Sequence, residues 1–191
     1  METNSPNLPW PTKGDKLVRS DAIGWDLAFL YPKKFITYAM GYKEAADAIL
    51  KDARQRQVSA DFIAFPAIYL YRHYIELILK AIIIKGQQIN NNELRVPHGH
   101  DLMPLWNETK FVIRENIHPD EVANIVEGHI QELSQLDNNS QELRYPITCE
   151  GDISLQAFDK LDVTNFSNVM NKIGSYLEGT YDVLENYLDS M

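Results

Sequence analysis

The chain has 191 residues, a formal net charge of −9 and an isoelectric point near 5.0. This length is enough for one buried core and does not require a second domain. The acidic balance excludes a surface coated with phosphate-binding cations, because nonspecific affinity for nucleic acid comes from Lys and Arg that displace counterions. A local basic pocket remains compatible with this composition.

The single cysteine, Cys149, cannot form an internal disulfide or build a zinc site alone, which predicts a reducing, cytoplasmic setting. The amino terminus lacks the basic start and apolar run of a secretory signal. The most apolar segment, 62–84, carries four ionisable side chains near its centre, each costly in a bilayer. We therefore expect a core helix there, and no membrane association.

The first part of the chain predicts an extended arm followed by a helix. Residues 1–20 contain three prolines among polar side chains, which prevents a helix and favours an extended surface arm. Residues 21–191 are then expected to form a single domain. From about Phe35 to about Gln57, apolar residues recur at helical spacing and predict the first helix.

A second helix is predicted from about Asp61 to Lys85. Gly86 follows it, where a residue in the left-handed region would end the helix. Pro66 lies early in this segment and indicates either the first turn or a kink. Because almost every other position is apolar, we expect this helix to be surrounded by its neighbours.

The remaining chain predicts three more helices and a short hairpin. Residues 87–100 form a loop, Asp101 caps a third helix, and Pro119 occupies the first position of a fourth helix that ends near Leu136. Short extended pieces around Ile147 and Ile153 can pair before a last helix over 163–188. The predicted fold is all-α: a bundle of four to five helices with an N-terminal arm and a hairpin before the last helix.

A polar stripe crosses the second predicted helix. Arg72, Glu76 and Lys80 are four residues apart, and with His73 they lie within an arc of roughly 100°. One interpretation is that this side of the helix faces water, with weak ion pairs along it. The other is that the stripe lines a pocket or an interface, where His73 and Glu76 can move protons.

Two histidines, His98 and His100, precede the third helix. The free backbone N–H groups of a helix start attract anions such as phosphate. An alternative is that a histidine here only holds the loop backbone. No spacing elsewhere supplies the further ligands that a metal would need, so we expect no metal site.

Arg144 is the third candidate position. Pro146 forces Tyr145 into an extended conformation and so fixes the direction of Arg144. A fixed guanidinium can pair with phosphate or with a carboxylate, for which Glu76 is the structural candidate. His129, on the apolar face of the fourth helix, is interpreted as a core histidine. Walker, GxGxxG and GxSxG signatures are absent.

Three segments occur in an order that resembles the HEPN superfamily (higher eukaryotes and prokaryotes nucleotide-binding). They are LYRHYIELILKA at 70–81, GHDL at 99–102 and RYP at 144–146, and the likeness covers roughly residues 60–190. The resemblance implies a bundle of four or five helices. It also implies metal-independent RNA cleavage in toxin–antitoxin and phage-defence systems, or nucleotide or partner binding in members without activity.

Active members of that superfamily commonly carry an Arg-x4–6-His motif late in the bundle and cleave RNA across a homodimer. Here no histidine follows Arg144 at that spacing. Arg95 and His100 satisfy Arg-x4-His, but they lie in the loop before the third helix. Cleavage is therefore left open, while binding is expected.

The resemblance thus implies a homodimeric RNA- or nucleotide-binding domain, with an antitoxin or a nucleotidyltransferase as partner, and we expect no cofactor. The alternative is a non-catalytic interaction module, in which Arg144 pairs with Glu76 and the histidines are buried. The predicted groove is lined by His73, Glu76, Lys80, His100 and Arg144. The candidate catalytic residues are His73, Glu76, His100 and Arg144, and the candidate phosphate-binding residues are Arg72, Lys80, Arg95 and His98.

Overall fold

The computed structural model describes residues 10–11, 13–15, 17–18, 23–24, 27–30, 34–117, 121–137, 142–148, 150–155 and 159–191. The chain divides into two units, Met1–Tyr31 and Pro32–Met191. The described residues of the first unit are all exposed and form neither helix nor strand. Most of the predicted arm, 1–20, lies outside the described residues.

Helices dominate the described part of the second unit, in agreement with the predicted all-α bundle. Helix α2 packs against α1, α3 and α5, whereas α4 packs against α3. In chain order, the helices are α1 (Phe35–Arg54), α2 (Ala60–Ile89), α3 (Leu102–Asn116), α4 (Glu121–Leu136) and α5 (Val163–Asp189).

Helix α2 is the centre of the bundle, as its composition predicts. Every residue from Tyr74 to Ile83 is buried. Consecutive residues of a helix point in different directions, so burial of a continuous run means that neighbours surround the helix. None of the helices in the described ranges combines the length and apolar character needed to cross a membrane.

The predicted end of α2 at Gly86 is wrong. The helix continues to Ile89, and Gly86 is buried inside it. A Cβ atom at Gly86 would lie 2.6 Å from both methyl carbons of Val112 on α3. Glycine is therefore needed for the close approach of α3 and not for a left-handed cap. Pro66 also lies inside α2 and not in its first turn.

The starts of α3 and α5 are capped by aspartates. Asp101 Oδ1 accepts a hydrogen bond from the backbone N–H of Met103 at 3.1 Å, which confirms the predicted cap. Asp162 Oδ1 accepts from the N–H groups of Thr164 and Asn165 at 3.0 and 2.9 Å. The predicted start of the fourth helix at Pro119 lies outside the described residues.

The segment before α5 contains the predicted hairpin pairing in minimal form. Ile147 and Ile153 make one antiparallel bridge, and Gly151 between them has a φ of 93°. The backbone N–H of Ser154 donates to the carbonyl of Pro146 at 3.0 Å. A single bridge is too short to be a strand pair, and Cys149 lies outside the described residues.

Candidate functional site

The polar stripe of α2 lies inside the protein. Arg72, Glu76 and Lys80 are 0%, 1% and 7% exposed. The interpretation of this stripe as a water-facing side is therefore wrong, because the loop before α3 and the end of α4 cover it. Buried charges are tolerated only when they are paired and hydrogen-bonded, so the partners of these groups define the site.

Glu76 is the centre of the cluster. Its Oε1 atom accepts hydrogen bonds from Lys80 Nζ and from His100 Nδ1, both at 2.9 Å. Its Oε2 atom accepts from Arg72 Nη1 at 3.2 Å. One carboxylate thus accepts hydrogen bonds from two cations of its own helix and from one histidine of the loop before α3.

The two buried cations also hold backbone from other elements. Arg72 donates from Nε to the carbonyl of Asp137 at 2.8 Å and from Nη2 to the carbonyl of His100 at 2.6 Å. Lys80 donates to the carbonyl of Gly99 at 2.8 Å. The bonds to the carbonyls of Gly99 and His100 position these two residues and fix the start of α3 against α2.

The ionisation of Glu76 determines which ring nitrogen of His100 carries the proton. Burial alone raises the pKa of Glu76, but hydrogen bonds from Lys80 and His100 and their positive charge outweigh burial and hold this pKa below its ordinary value. An ionised carboxylate only accepts hydrogen bonds, so His100 Nδ1 is the donor. The neutral imidazole then carries its lone pair on Nε2.

His100 is also accessible from outside. Its side chain is 65% exposed, although the carboxylate that it contacts is only 2% exposed. A histidine oriented through Nδ1 by a buried carboxylate and open at Nε2 has the arrangement of a general base. This is the clearest chemical feature among the predicted site residues.

His73 lies on the other side of the same carboxylate. Its Nδ1 atom is 4.0 Å from Glu76 Oε2, and its side chain is 22% exposed. Burial lowers the pKa of His73; Glu76 opposes this change and the charges of Arg72 and Lys80 add to it. His73 therefore favours its neutral form more strongly than an ordinary histidine does.

Aromatic rings surround His73. The Tyr42 ring meets it edge-on with centroids 4.4 Å apart, and the Tyr69 ring is nearly parallel with centroids 6.0 Å apart. Neither tyrosine was among the predicted site residues. The spacing of Tyr69 and His73, four positions apart on one helix, is the only sequence signal that joins them.

Arg144 has aromatic neighbours. Its guanidinium carbon lies 6.0 Å from the centre of the Tyr69 ring and 5.7 Å from that of Tyr145. Glu76, which the interaction-module alternative assigns to Arg144, accepts instead from Arg72, Lys80 and His100. Arg144 and Tyr145 are both exposed.

The other two candidates lie on the exposed loop. Arg95 Nη2 is 2.5 Å from Glu93 Oε2, and both side chains are about three-quarters exposed, at 75% and 73%. His98 is exposed as well. In the described part of the chain, neither Arg95 nor His98 makes a contact with the Glu76 cluster, although the Arg95–His100 spacing satisfies Arg-x4-His.

A separate cavity of about 730 Å³ lies between the start of α2, the end of α4 and the start of α5. Its lining includes Phe65, Leu133, Phe166 and Met170, but none of the eight predicted site residues. His129 forms part of its wall, with Nδ1 3.7 Å from Glu132 Oε2 and a side chain that is 35% exposed. Among the residues that the structure describes, no group of three or more His, Cys, Asp or Glu side chains could hold a metal ion.

The chain matches no protein-family model, no curated protein and no solved structure. Fold and site together define an all-α helical protein with a buried ion cluster that holds an exposed histidine.

Proposed function

We propose that this chain is a HEPN-like domain that binds RNA and cleaves it without a metal ion, with His100 as the general base. The observation that carries the proposal is the bond from His100 Nδ1 to the buried Glu76 carboxylate, which leaves Nε2 of an exposed imidazole to accept a proton. Glu76 acts as a positioning residue, because it orients His100 and stabilises the imidazolium that forms.

The chemistry needs only RNA and water. His100 Nε2 takes the proton of a ribose 2′-hydroxyl, and the 2′-oxygen forms a bond to the adjacent phosphorus while the bond from phosphorus to the 5′-oxygen breaks. Solvent protonates the leaving 5′-oxygen, which gives a 2′,3′-cyclic phosphate and a 5′-hydroxyl, and His100 returns its proton to water. The exposed guanidinium of Arg144 supplies positive charge for the phosphate.

The resemblance of 70–81, 99–102 and 144–146 to the HEPN superfamily supports this proposal. On the same resemblance we propose that the domain acts in a prokaryotic toxin–antitoxin or defence system, as a cytoplasmic homodimer with an antitoxin or nucleotidyltransferase partner. The histidine of the usual Arg-x4–6-His motif is missing after Arg144. We propose that His100, from the loop before α3, performs its role.

The test is cleavage of end-labelled RNA by the purified protein in the presence of a chelator. His100→Ala is expected to lower the cleavage rate about 100-fold or more, in the range of general base catalysis. His129→Ala is the matched control, since this histidine contacts Glu132 beside the separate cavity. RNA with 2′-O-methyl groups should remain intact, because it has no 2′-hydroxyl to attack.

Three results would contradict the proposal. Cleavage of 2′-O-methyl RNA would exclude the 2′-hydroxyl as nucleophile. An unchanged rate in His100→Ala would exclude His100 as the base. Failure of the wild type to cleave any RNA, structured or single-stranded, would exclude a nuclease.

A second candidate function, the non-catalytic interaction module, is favoured by one observation. The cations Arg72 and Lys80 are buried and bind protein groups, so most of the stripe has no access to a ligand. In that case the wild type neither retards nor cleaves RNA, and helical surfaces dock a protein partner. Native gel retardation with the same RNAs distinguishes the two functions.

A further inference from the structure

A row of planar side chains leads from the Glu76 cluster to the surface. We call it the aromatic row; it contains Tyr42, His73, Tyr69, Arg144 and Tyr145. Helix α1 contributes the first member, α2 the next two, and the turn after α4 the last two. Each member has a ring or guanidinium contact with another, with separations from 4.4 to 6.0 Å.

The two ends of the row differ in exposure. Tyr42, Tyr69 and His73 are partly buried, whereas Arg144 and Tyr145 are exposed, and Tyr145 is 59% exposed. The inner members are therefore held in place by the surrounding protein, and Tyr145 provides an accessible ring face. Because Pro146 follows, the backbone of Tyr145 is restricted to extended conformations, which limits the directions its ring can take.

The charge of the protein restricts how RNA could bind here. The net charge of −9 repels a phosphate backbone, and Arg72 and Lys80 are already engaged with protein groups. Binding by counterion release is therefore weak, and stacking must supply much of the affinity. Bases in a duplex are stacked on each other, so only unpaired bases can use the ring faces of the row.

From this arrangement we infer that the substrate is single-stranded RNA, and that an unpaired base stacks on Tyr145 beside the Arg144 guanidinium. The inference rests on the proposed function, whose substrate class it specifies. The row and the proposed base meet at Glu76, which is 4.0 Å from His73 and 2.9 Å from His100. The row and the proposed base thus share one carboxylate.

The test is fluorescence anisotropy with short, labelled 2′-O-methyl RNA, which the proposed reaction cannot cleave. Tyr145→Ala is expected to weaken binding of the single strand by about 5- to 150-fold, the range for loss of one stacked base. Tyr145→Phe keeps the ring and should retain wild-type affinity. Tyr187→Ala, at a tyrosine of α5 that is 51% exposed, is the matched control for loss of a surface ring.

Two further probes separate stacking from phosphate contacts. The first probe is a series of abasic single strands, each of which lacks one base. One of them should bind wild type as weakly as the complete strand binds Tyr145→Ala. The same abasic strand should lose little further affinity when it is tested against Tyr145→Ala. A fully paired, blunt-ended duplex of the same length, which has no unpaired bases, should bind at least several-fold more weakly than the single strand. The second probe is the salt dependence of binding. With about two phosphate contacts, a plot of the logarithm of the association constant against the logarithm of the salt concentration should have a slope of only about −1.4.

The outcomes distinguish this inference from the proposed function. If wild type and Tyr145→Ala bind the single strand equally well, or if wild type binds the fully paired duplex as tightly as the single strand, base stacking on Tyr145 is refuted while RNA binding stands. If wild type binds none of the RNAs, both the inference and the proposed function are refuted. Circular dichroism verifies that each variant is folded. Because Tyr145 is exposed, its replacement should not disturb the core, so a loss of affinity is not explained by a packing defect.

Discussion

Replacement of Glu76 by glutamine tests whether the buried ion cluster holds the fold as well as the site. The change preserves the shape of the side chain and removes its charge. Lys80, which is 7% exposed, then loses the carboxylate that it pairs with, whereas Arg72, which is 0% exposed, keeps the Asp137 carboxylate 3.8 Å from its Nε atom. Removal of one partner from a buried ion pair leaves an uncompensated charge and typically destabilises a protein by about 3–5 kcal/mol. Glu76→Gln should lower the free energy of unfolding by that amount.

A matched control is available on the surface. Glu127 accepts from Lys110 at 2.8 and 2.9 Å, distances close to that of the Lys80–Glu76 bond, but both side chains are about one-third exposed. Exposed pairs contribute about 0–1 kcal/mol, because water replaces the lost partner and screens the charge. Glu127→Gln should therefore change stability by less than about 1 kcal/mol.

The assay is urea unfolding followed by far-ultraviolet circular dichroism, with the slope compared among wild type and the two variants. A domain of ordinary stability has about 5–15 kcal/mol, so Glu76→Gln should still be folded in water. Equal effects of Glu76→Gln and Glu127→Gln would refute the reasoning, because the two bonds would then have the same value despite their different burial.

Two other predictions concern pH and helix packing. The pKa of Glu76 is lower in the folded protein than its ordinary value of 4.5, so its contribution to stability should be present above pH 4.5 and lost as the pH falls through the lower folded value. Urea titrations across this range should show a smaller loss in Glu76→Gln than in wild type, since the pKa of Glu127 is also lowered and its contribution remains in both. Gly86→Ala should lower the thermal midpoint, because its Cβ would lie 2.6 Å from the methyl carbons of Val112, with a cost of about 1–3 kcal/mol for overpacking. Gly128 lies on a helix with open space around it, so Gly128→Ala should raise the midpoint through a gain of about 0.5–1 kcal/mol. Calorimetry measures both midpoints, and changes of the same sign in the two variants would contradict the packing explanation.

Local signals were sufficient for most of the fold. The aspartate cap at Asp101 and the apolar spacing of each helix depend on neighbours within a few residues, so the chain itself displays them. Gly86 shows where local signals fail. A glycine after an apolar run fits either a left-handed cap or a close helix contact, and only the position of Val112 on α3 decides between them.

The site was predicted in part for the same reason. Helical geometry alone places Arg72, His73, Glu76 and Lys80 on one face, but it does not say what covers that face. The covering groups are backbone carbonyls, such as that of Gly99, which have no side-chain signature. The link from Glu76 to His100 likewise depends on how a loop folds back.

The Arg72 guanidinium has a consequence for the order of folding. It holds carbonyls that are 28 and 65 residues away along the chain, at His100 and Asp137. Such bonds need closure of long loops, whereas the turns of α2 need only neighbouring residues. We therefore expect the Arg72 bonds to form late in folding, and interactions that form late slow unfolding more than they speed folding. On this argument, Arg72 contributes to the lifetime of the assembled bundle more than to the rate at which it forms.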